Sequence, residues 1–152
     1  MAYTYAELLE AYAALGVSEG RTVYVTFDLV GLKEFARPGR TAALDAHFRA
    51  LMERLDPHGT LVVPSASVNL CNTDPPFNVI ETPSWNVGVF SEYVRTRPDA
   101  LRSFHPFVSY AAVGARAEQI TSHASRHAFG PRSPEARMVE LDALSVSVGL
   151  HP

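Results

Sequence analysis

Eight consecutive residues, Arg102-Ser103-Phe104-His105-Pro106-Phe107-Val108-Ser109, bring together a guanidinium, two hydroxyls and an imidazole. Guanidinium groups recognise phosphate and carboxylate through paired donors, and an imidazole donates, accepts or carries a proton close to neutral pH. The block suits a phosphate-bearing or polar ligand where a loop enters a strand. A plain structural reading stays open beside it, in which Arg102 pairs with a neighbouring acid and His105 fills a turn before proline. A second candidate is the stretch from Ser84 to Arg95, whose helix is expected to start at Gly88. Helix N-termini present free amides and about half a positive charge, which suits an anion, although most of them hold none. Outside the first block lie His47, His58, His123, His127 and His151. His123 and His127 stand at i,i+4, the spacing that would set two imidazoles on one helical face as a metal pair. No third ligand accompanies them and Gly130 ends any helix there, so these histidines read as solvated surface groups and no metal is expected. Cys71 is the single cysteine, which excludes an intrachain disulfide, and no histidine flanks it as a base for nucleophilic work.

These groups need a scaffold, and the pattern around them alternates helix and strand. Thr4-Tyr5-Ala6-Glu7 fits a capping box, with Leu8, Tyr12 and Leu15 on one face behind it and Gly16 as the stop. Thr22 to Phe27 is β-branched and aromatic and reads as a buried strand, followed by a loop bracketed by Gly31 and Arg37-Pro38-Gly39. Leu44, Phe48, Leu51 and Leu55 recur at helical spacing, and Thr60-Leu61-Val62-Val63 forms the next strand before Pro64. Strand, helix and strand make a βαβ unit with a right-handed parallel crossover. Residues 65–87 hold three prolines and no period, a length of loop that is usually functional. A helix from Gly88 to Arg95, a strand from Phe107 to Val113, a helix over 115–122, a helix opening at Ser133-Pro134-Glu135 and a strand over Leu144 to Val148 complete the order. The expected class is α/β, a mixed sheet with βαβ units flanked by helices.

Composition narrows the partners. With 152 residues, 47% apolar and 19% charged, the chain has the make-up of an ordinary globular domain rather than a collagen, a coiled coil or a disordered tail. No apolar run is long enough for a spanning helix. A net charge of −3 provides no basic field for nucleic acid. The first residues show no export signal, so a cytoplasmic location is expected.

The blocks, taken in order, resemble the aminoglycoside 3-N-acetyltransferases. The resemblance lies in Gly16-Val17-x-x-Gly20-x-x-Val23, Gly59-Thr60-Leu61-Val62-Val63-Pro64 and Gly88-Val89-Phe90-Ser91-Glu92-Tyr93-Val94-Arg95. It continues in Arg102-Ser103-x-His105-Pro106-x-x-Ser109-x-Ala111-Ala112-x-Gly114 and Phe129-Gly130-x-x-Ser133-Pro134. It implies transfer of an acetyl group from acetyl-CoA, as co-substrate, to an amine of an aminoglycoside antibiotic in a ternary complex. It also implies that Arg102, Ser103, His105 and Ser109 line the cofactor cleft and that Ser65 and Ser67 lie at its mouth. Asp28, Asp74 and Glu81 are carboxylates that would suit a cationic substrate. Where the family commonly has His-Ser-Ser-Leu, which helps hold the cofactor, this chain has Thr26-Phe27-Asp28-Leu29, so Thr26 and Asp28 take cofactor-facing positions with a bulky ring and a negative charge among them. In the family the last strand runs into Thr-x-x-His-x-x-Glu, whose histidine is the usual base. Here Gly149-Leu150-His151-Pro152 stands instead, and His151 lacks that pattern. Residues 1–152 are therefore expected to form one partial, apparently truncated acetyltransferase-like domain whose catalytic base lies beyond Pro152. Three functions stay open: an acetyltransferase with impaired activity, a remnant that binds CoA, another nucleotide or a partner without catalysis, and an acyltransferase for a different amine. A sheet cut short would leave an edge on which a homo-oligomer could form.

Overall fold

The capping box at Thr4 forms as expected: the Glu7 amide donates to the Thr4 hydroxyl at 3.3 Å, and the Thr4 amide donates to the Glu7 carboxylate at 2.7 Å. It opens α1 (Tyr5–Ala14) in a computed structural model that describes residues 2–32, 35–36, 39–125 and 127–150. Then follow β1 (Thr22–Phe27), α2 (Arg40–Leu55), β2 (Thr60–Pro64), a 3-10 turn (Val68–Leu70), α3 (Val89–Arg95), β3 (Leu101–Arg102) and β4 (Tyr110–Gly114). The chain continues through α4 (Ala117–Thr121), α5 (Pro134–Glu140) and β5 (Leu144–Val148).

The five strands form one mixed sheet in the order β3-β4-β2-β1-β5. Strand β1 runs parallel to both neighbours, with Thr22 opposite Thr60 on β2 and Phe27 opposite Val148 on β5. Strand β4 is antiparallel to β2, with Pro64 opposite Tyr110, and to β3, with Arg102 opposite Ala111. Side chains of a strand alternate between faces, and here the alternation sorts two cores. Val23, Val25, Phe27, Leu61, Val63, Val146 and Val148 pack with Leu44, Leu51, Leu55, Phe90 and Val94 of α2 and α3. Val62 and Ala112 face the other way, against Ala117, Ile120 and Met138 of α4 and α5. Strand β2 is buried on both faces, which explains why it reads as an unbroken apolar run. Complete burial of a side chain such as Leu51 or Phe90 contributes roughly 1.5–3 kcal/mol.

Several expectations change. Leu15 is 52% exposed, because it is the C-cap rather than part of the buried stripe of Leu8 and Tyr12. The strand expected from Phe107 starts at Tyr110, and its partner β3, only two residues long, has no periodicity to betray it. His47 is not a surface group. It is 2% exposed, with Tyr12 Oη 2.6 Å from Nδ1 and Tyr3 Oη 2.9 Å from Nε2. Its helix is amphipathic in apolar residues, and the hydroxyls that satisfy the ring come from Tyr3, just before α1, and Tyr12 on α1. His58, His123 and His127 are exposed, and His123 has φ of 50°, so the i,i+4 pair does not share a helix. Arg37, Pro38 and His151 lie outside the described residues.

Candidate functional site

Parallel strands deliver their carboxyl ends to one edge of a sheet, and ligands of α/β folds sit in the crevice there. Strands β1, β2 and β5 end on this edge, β3 ends there too, and β4 begins there because it runs the other way. Thr26, Asp28, Ser65, Ser67, Arg102, Ser103, His105 and Ser109 are thus all gathered at one end of the sheet, or on the loops leaving it.

The centre of this edge is Arg102. Its Nε donates to Ser109 Oγ at 3.1 Å, and Nη2 donates to Ser67 Oγ at 2.8 Å and to the Ser65 carbonyl. Nη1 donates to the Thr82 carbonyl, and the guanidinium carbon lies 4.8 Å from the Phe77 ring centroid. All the hydrogen-bond partners are uncharged. Burial, and then the Arg95 charge, push the Arg102 pKa down to about 10, with Glu92 opposing. The pairing with an acid considered from sequence belongs instead to Arg95, whose side chain is 7% exposed and grips Glu92 three residues earlier on α3. Burial pushes the Glu92 carboxyl up, but Arg95 and the Ser84 amide outweigh it and hold the group below its ordinary range.

The serines close the same knot. Ser109 Oγ donates to the Ser65 carbonyl, and the Ser65 amide continues the β2–β4 ladder to the Ser109 carbonyl at 2.7 Å. Ser65 Oγ lies 3.0 Å from Ser84 Oγ, and Ser67 Oγ donates to the Pro83 carbonyl at 3.0 Å. Both side chains are buried, so they lie beneath the long loop rather than at a cleft mouth: the loop folds back from Pro83 and Ser84 onto the end of β2. Ser103 is buried as well, its hydroxyl accepting from the Tyr110 amide at 3.0 Å across the β3–β4 hairpin. Arg102 and these serines are thus committed to one another and to the loop that folds over them.

His105 differs. Its ring is half-buried, and Nδ1 accepts from the amides of Phe107 at 3.2 Å and Val108 at 2.9 Å. In the neutral ring the proton must then sit on Nε2, which makes His105 a hydrogen-bond donor to anything approaching that nitrogen. On the β1 side, Thr26 Oγ1 lies 3.1 Å from Ser147 Oγ, on the exposed face of the strand pair. Asp28 Oδ1 accepts from the Val30 amide at 2.9 Å and so shapes its own turn. Glu81 accepts from Asn78 Nδ2 at 3.0 Å, and Asp74 is exposed. The N-terminus of α3 meets this edge directly: Gly88 has φ of 88°, and a Cβ there would stand 2.6 Å from the Phe27 carbonyl oxygen. Thr82 and Phe77 carry no signal in the sequence, since nothing in their spacing ties them to Arg102, and Ser84, which opens the second candidate stretch, reaches the knot through Ser65.

The family model for aminoglycoside 3-N-acetyltransferase matches residues 31–152. Aminoglycoside N(3)-acetyltransferase IV of Salmonella sp is 35% identical over 147 residues, covering 95% of this chain and 53% of that protein. The chain belongs to the aminoglycoside 3-N-acetyltransferase family. Among solved family structures, AAC-VIa bound to sisomicin superposes with a TM-score of 0.85 at 25% identity, over 100% of this chain and 61% of that one. AAC-IIIb in a binary complex with CoASH gives 0.80 at 26% identity, over 92% and 57%. The chain spans 53% and 59% of the two curated family members it matches over most of its length. Among the described residues no helix is long and apolar enough to cross a membrane, and no group of three histidine, cysteine or acidic side chains is placed to hold a metal ion.

Proposed function

We propose that this chain binds acetyl-CoA at the carboxyl edge of its sheet and supports acetyl transfer to an amine of an aminoglycoside, at a rate well below that of a full-length family member. The observation that supports the reading is the Arg102 knot, which ties the 65–87 loop to the 103–109 hairpin loop at the carboxyl edge of the sheet in a chain of this family. Acyl transfer needs a thioester held close to the amine, a term that reaches about 7–11 kcal/mol in well-oriented cases. It also needs a base to take the ammonium proton, worth typically 10²–10⁴-fold.

Neither His47 nor His105 is placed as such a base. Both nitrogens of His47 are engaged by tyrosines, and burial pushes its pKa down to about 4. His105 keeps Nδ1 on two backbone amides and so offers a donor rather than a base. Residues 1–152 then act as one unit that holds the cofactor and lacks a well-placed histidine base among its described residues. Acetyl-CoA and its amine acceptor are the small-molecule partners, and the cytoplasm, where acetyl-CoA is made, is the setting.

Thiol release from acetyl-CoA in the presence of gentamicin or kanamycin tests the proposal. Turnover more than tenfold slower than a full-length family member is expected, and turnover within tenfold would refute the impairment. Melting with and without CoA tests the cofactor separately. A ligand at 100 times its dissociation constant adds roughly 2.7 kcal/mol, so the absence of any shift at millimolar CoA overturns that half.

A further inference from the structure

The sheet has two edges of unequal length: β3 offers two residues and β5 offers five. The Asp28 amide donates to the Val148 carbonyl at 2.8 Å, and Val148 stands opposite Phe27 in the parallel ladder. Backbone groups alternate in direction along a strand, so Leu144, Val146 and Val148 turn theirs toward β1. Ser145 and Ser147 turn their amides and carbonyls outward, and among the described residues nothing bonds them. Protein edges are usually blunted by charge, proline or a bulge. From Ala143 to Leu150 there is neither a charge nor a proline, and the register with β1 is unbroken.

An edge of this kind is complementary to itself. About a twofold axis at Val146, antiparallel β5 strands set Ser145 of one copy opposite Ser147 of the other, where each pair exchanges both N–H···O=C bonds. No neighbouring register uses all the open groups. One would set Ser147 against Ala143, whose amide already donates to the Met138 carbonyl. The other would set Ser145 against Gly149, which has left the extended conformation with φ of 70°.

The side chains follow the same symmetry. Ser145 and Ser147 are exposed on the face where Thr26 already meets Ser147, so the row of hydroxyls continues across the axis. Exposed apolar side chains stand at both ends of β5. Leu15 is at the amino end, where a Cβ on the adjacent Gly16 would lie 3.8 Å from Leu144 Cδ2. Val30 and Leu150 are at the carboxyl end, where Gly31 packs on the Gly149 carbonyl. Antiparallel pairing brings the amino end of one strand to the carboxyl end of the other.

We propose that this chain forms a symmetric homodimer through β5, with the two sheets running on as one. The two carboxyl edges then face opposite ways, and both stay open. A contact this short belongs with the small, transient interfaces, with a dissociation constant on the order of 10–100 µM.

Sedimentation velocity of the full chain from about 5 µM to about 500 µM brackets that constant and should show monomer passing to dimer. Hydrogen exchange at the Ser145 and Ser147 amides should slow over the same range, while Val146 and Val148, bonded to β1, exchange slowly throughout. Ser147→Pro removes an outward N–H that β1 does not use, a position where an edge strand accepts proline. It should melt within a few degrees of the wild type and stay monomeric. A second variant does not depend on that fold surviving: Ser145→Lys with Ser147→Glu sets opposite charges face to face in this register, and like charges in the neighbouring ones. It should dimerise several-fold more tightly at low salt. A monomer throughout overturns the proposal, and protected serine amides in that monomer would mean that the chain covers its own edge. A dimer that survives Ser147→Pro, or that the paired charges weaken, overturns it as well.

Discussion

Acidification is expected to loosen the junction of α1 and α2 through one side chain, His47. Its ring is 2% exposed, held between Tyr12 Oη at 2.6 Å and Tyr3 Oη at 2.9 Å, with the Phe27 ring edge-on at a centroid distance of 4.8 Å. A neutral ring suits this setting, with one nitrogen donating to a tyrosine oxygen and the other accepting from a tyrosine hydroxyl. Burial pushes the pKa from 6.5 down to about 4. The folded state therefore resists the proton that the unfolded chain accepts near pH 6.5. The stability held by the neutral ring is intact above that pH, is lost as pH falls from about 6.5 to about 4, and changes no further below. Each pKa unit is worth about 1.4 kcal/mol, so the loss approaches about 3 kcal/mol, a large fraction of the roughly 5–15 kcal/mol that holds a domain together. Urea unfolding of the wild type and of His47→Gln across this pH range measures it. Glutamine can bond a tyrosine but does not titrate, so the variant should start about 1–3 kcal/mol less stable at pH 7. The gap should then close as pH falls. Stability curves that run parallel from pH 7 to pH 4 would refute the reasoning.

Two further substitutions probe the site's frame. Arg102→Lys keeps the charge but cannot span the Ser65, Ser67, Thr82 and Ser109 acceptors with one ammonium; faster proteolysis in the 65–87 loop is expected, and wild-type protection would count against the clamp. Gly88→Ala forces a side chain into φ of 88° with its Cβ 2.6 Å from the Phe27 oxygen, strain of order 1–3 kcal/mol. Its melting temperature should drop by several degrees, and an unchanged value would mean that α3 and β1 yield without cost.

The elements legible in the sequence were those whose physics is local or periodic. Thr4 and Glu7 cap α1 across one turn, Ser133 accepts from the Ala136 amide at 3.2 Å, and the apolar residues of β1 and α2 fall where they are buried. What stayed hidden depends on partners far along the chain. Strand β3 exists only because β4 pairs with it, and the ring of His47 is satisfied only because Tyr3, just before α1, and Tyr12, on α1, arrive from far along the chain. The polar block at 102–109 was visible as chemistry, but its division of labour was not. Arginine and serine could equally have faced a ligand, and only the return of the loop at Thr82 and Pro83 commits them to the scaffold. His105, by contrast, owes its donor character to amides two and three residues away.

The reach of the Arg102 bonds has a consequence for the order in which the molecule assembles. They join residues separated by 20 positions at Thr82 and by 37 at Ser65. Closing such loops costs entropy before any contact repays it, and the guanidinium meets its Ser65 and Ser109 acceptors together where the antiparallel ladder sets Pro64 against Tyr110. A chain emerging residue by residue has no site to offer while the hairpin is missing, however well α1, β1 and α2 have formed. A site built on these bonds is therefore complete only where the β2–β4 ladder and the returning 65–87 loop are both in place.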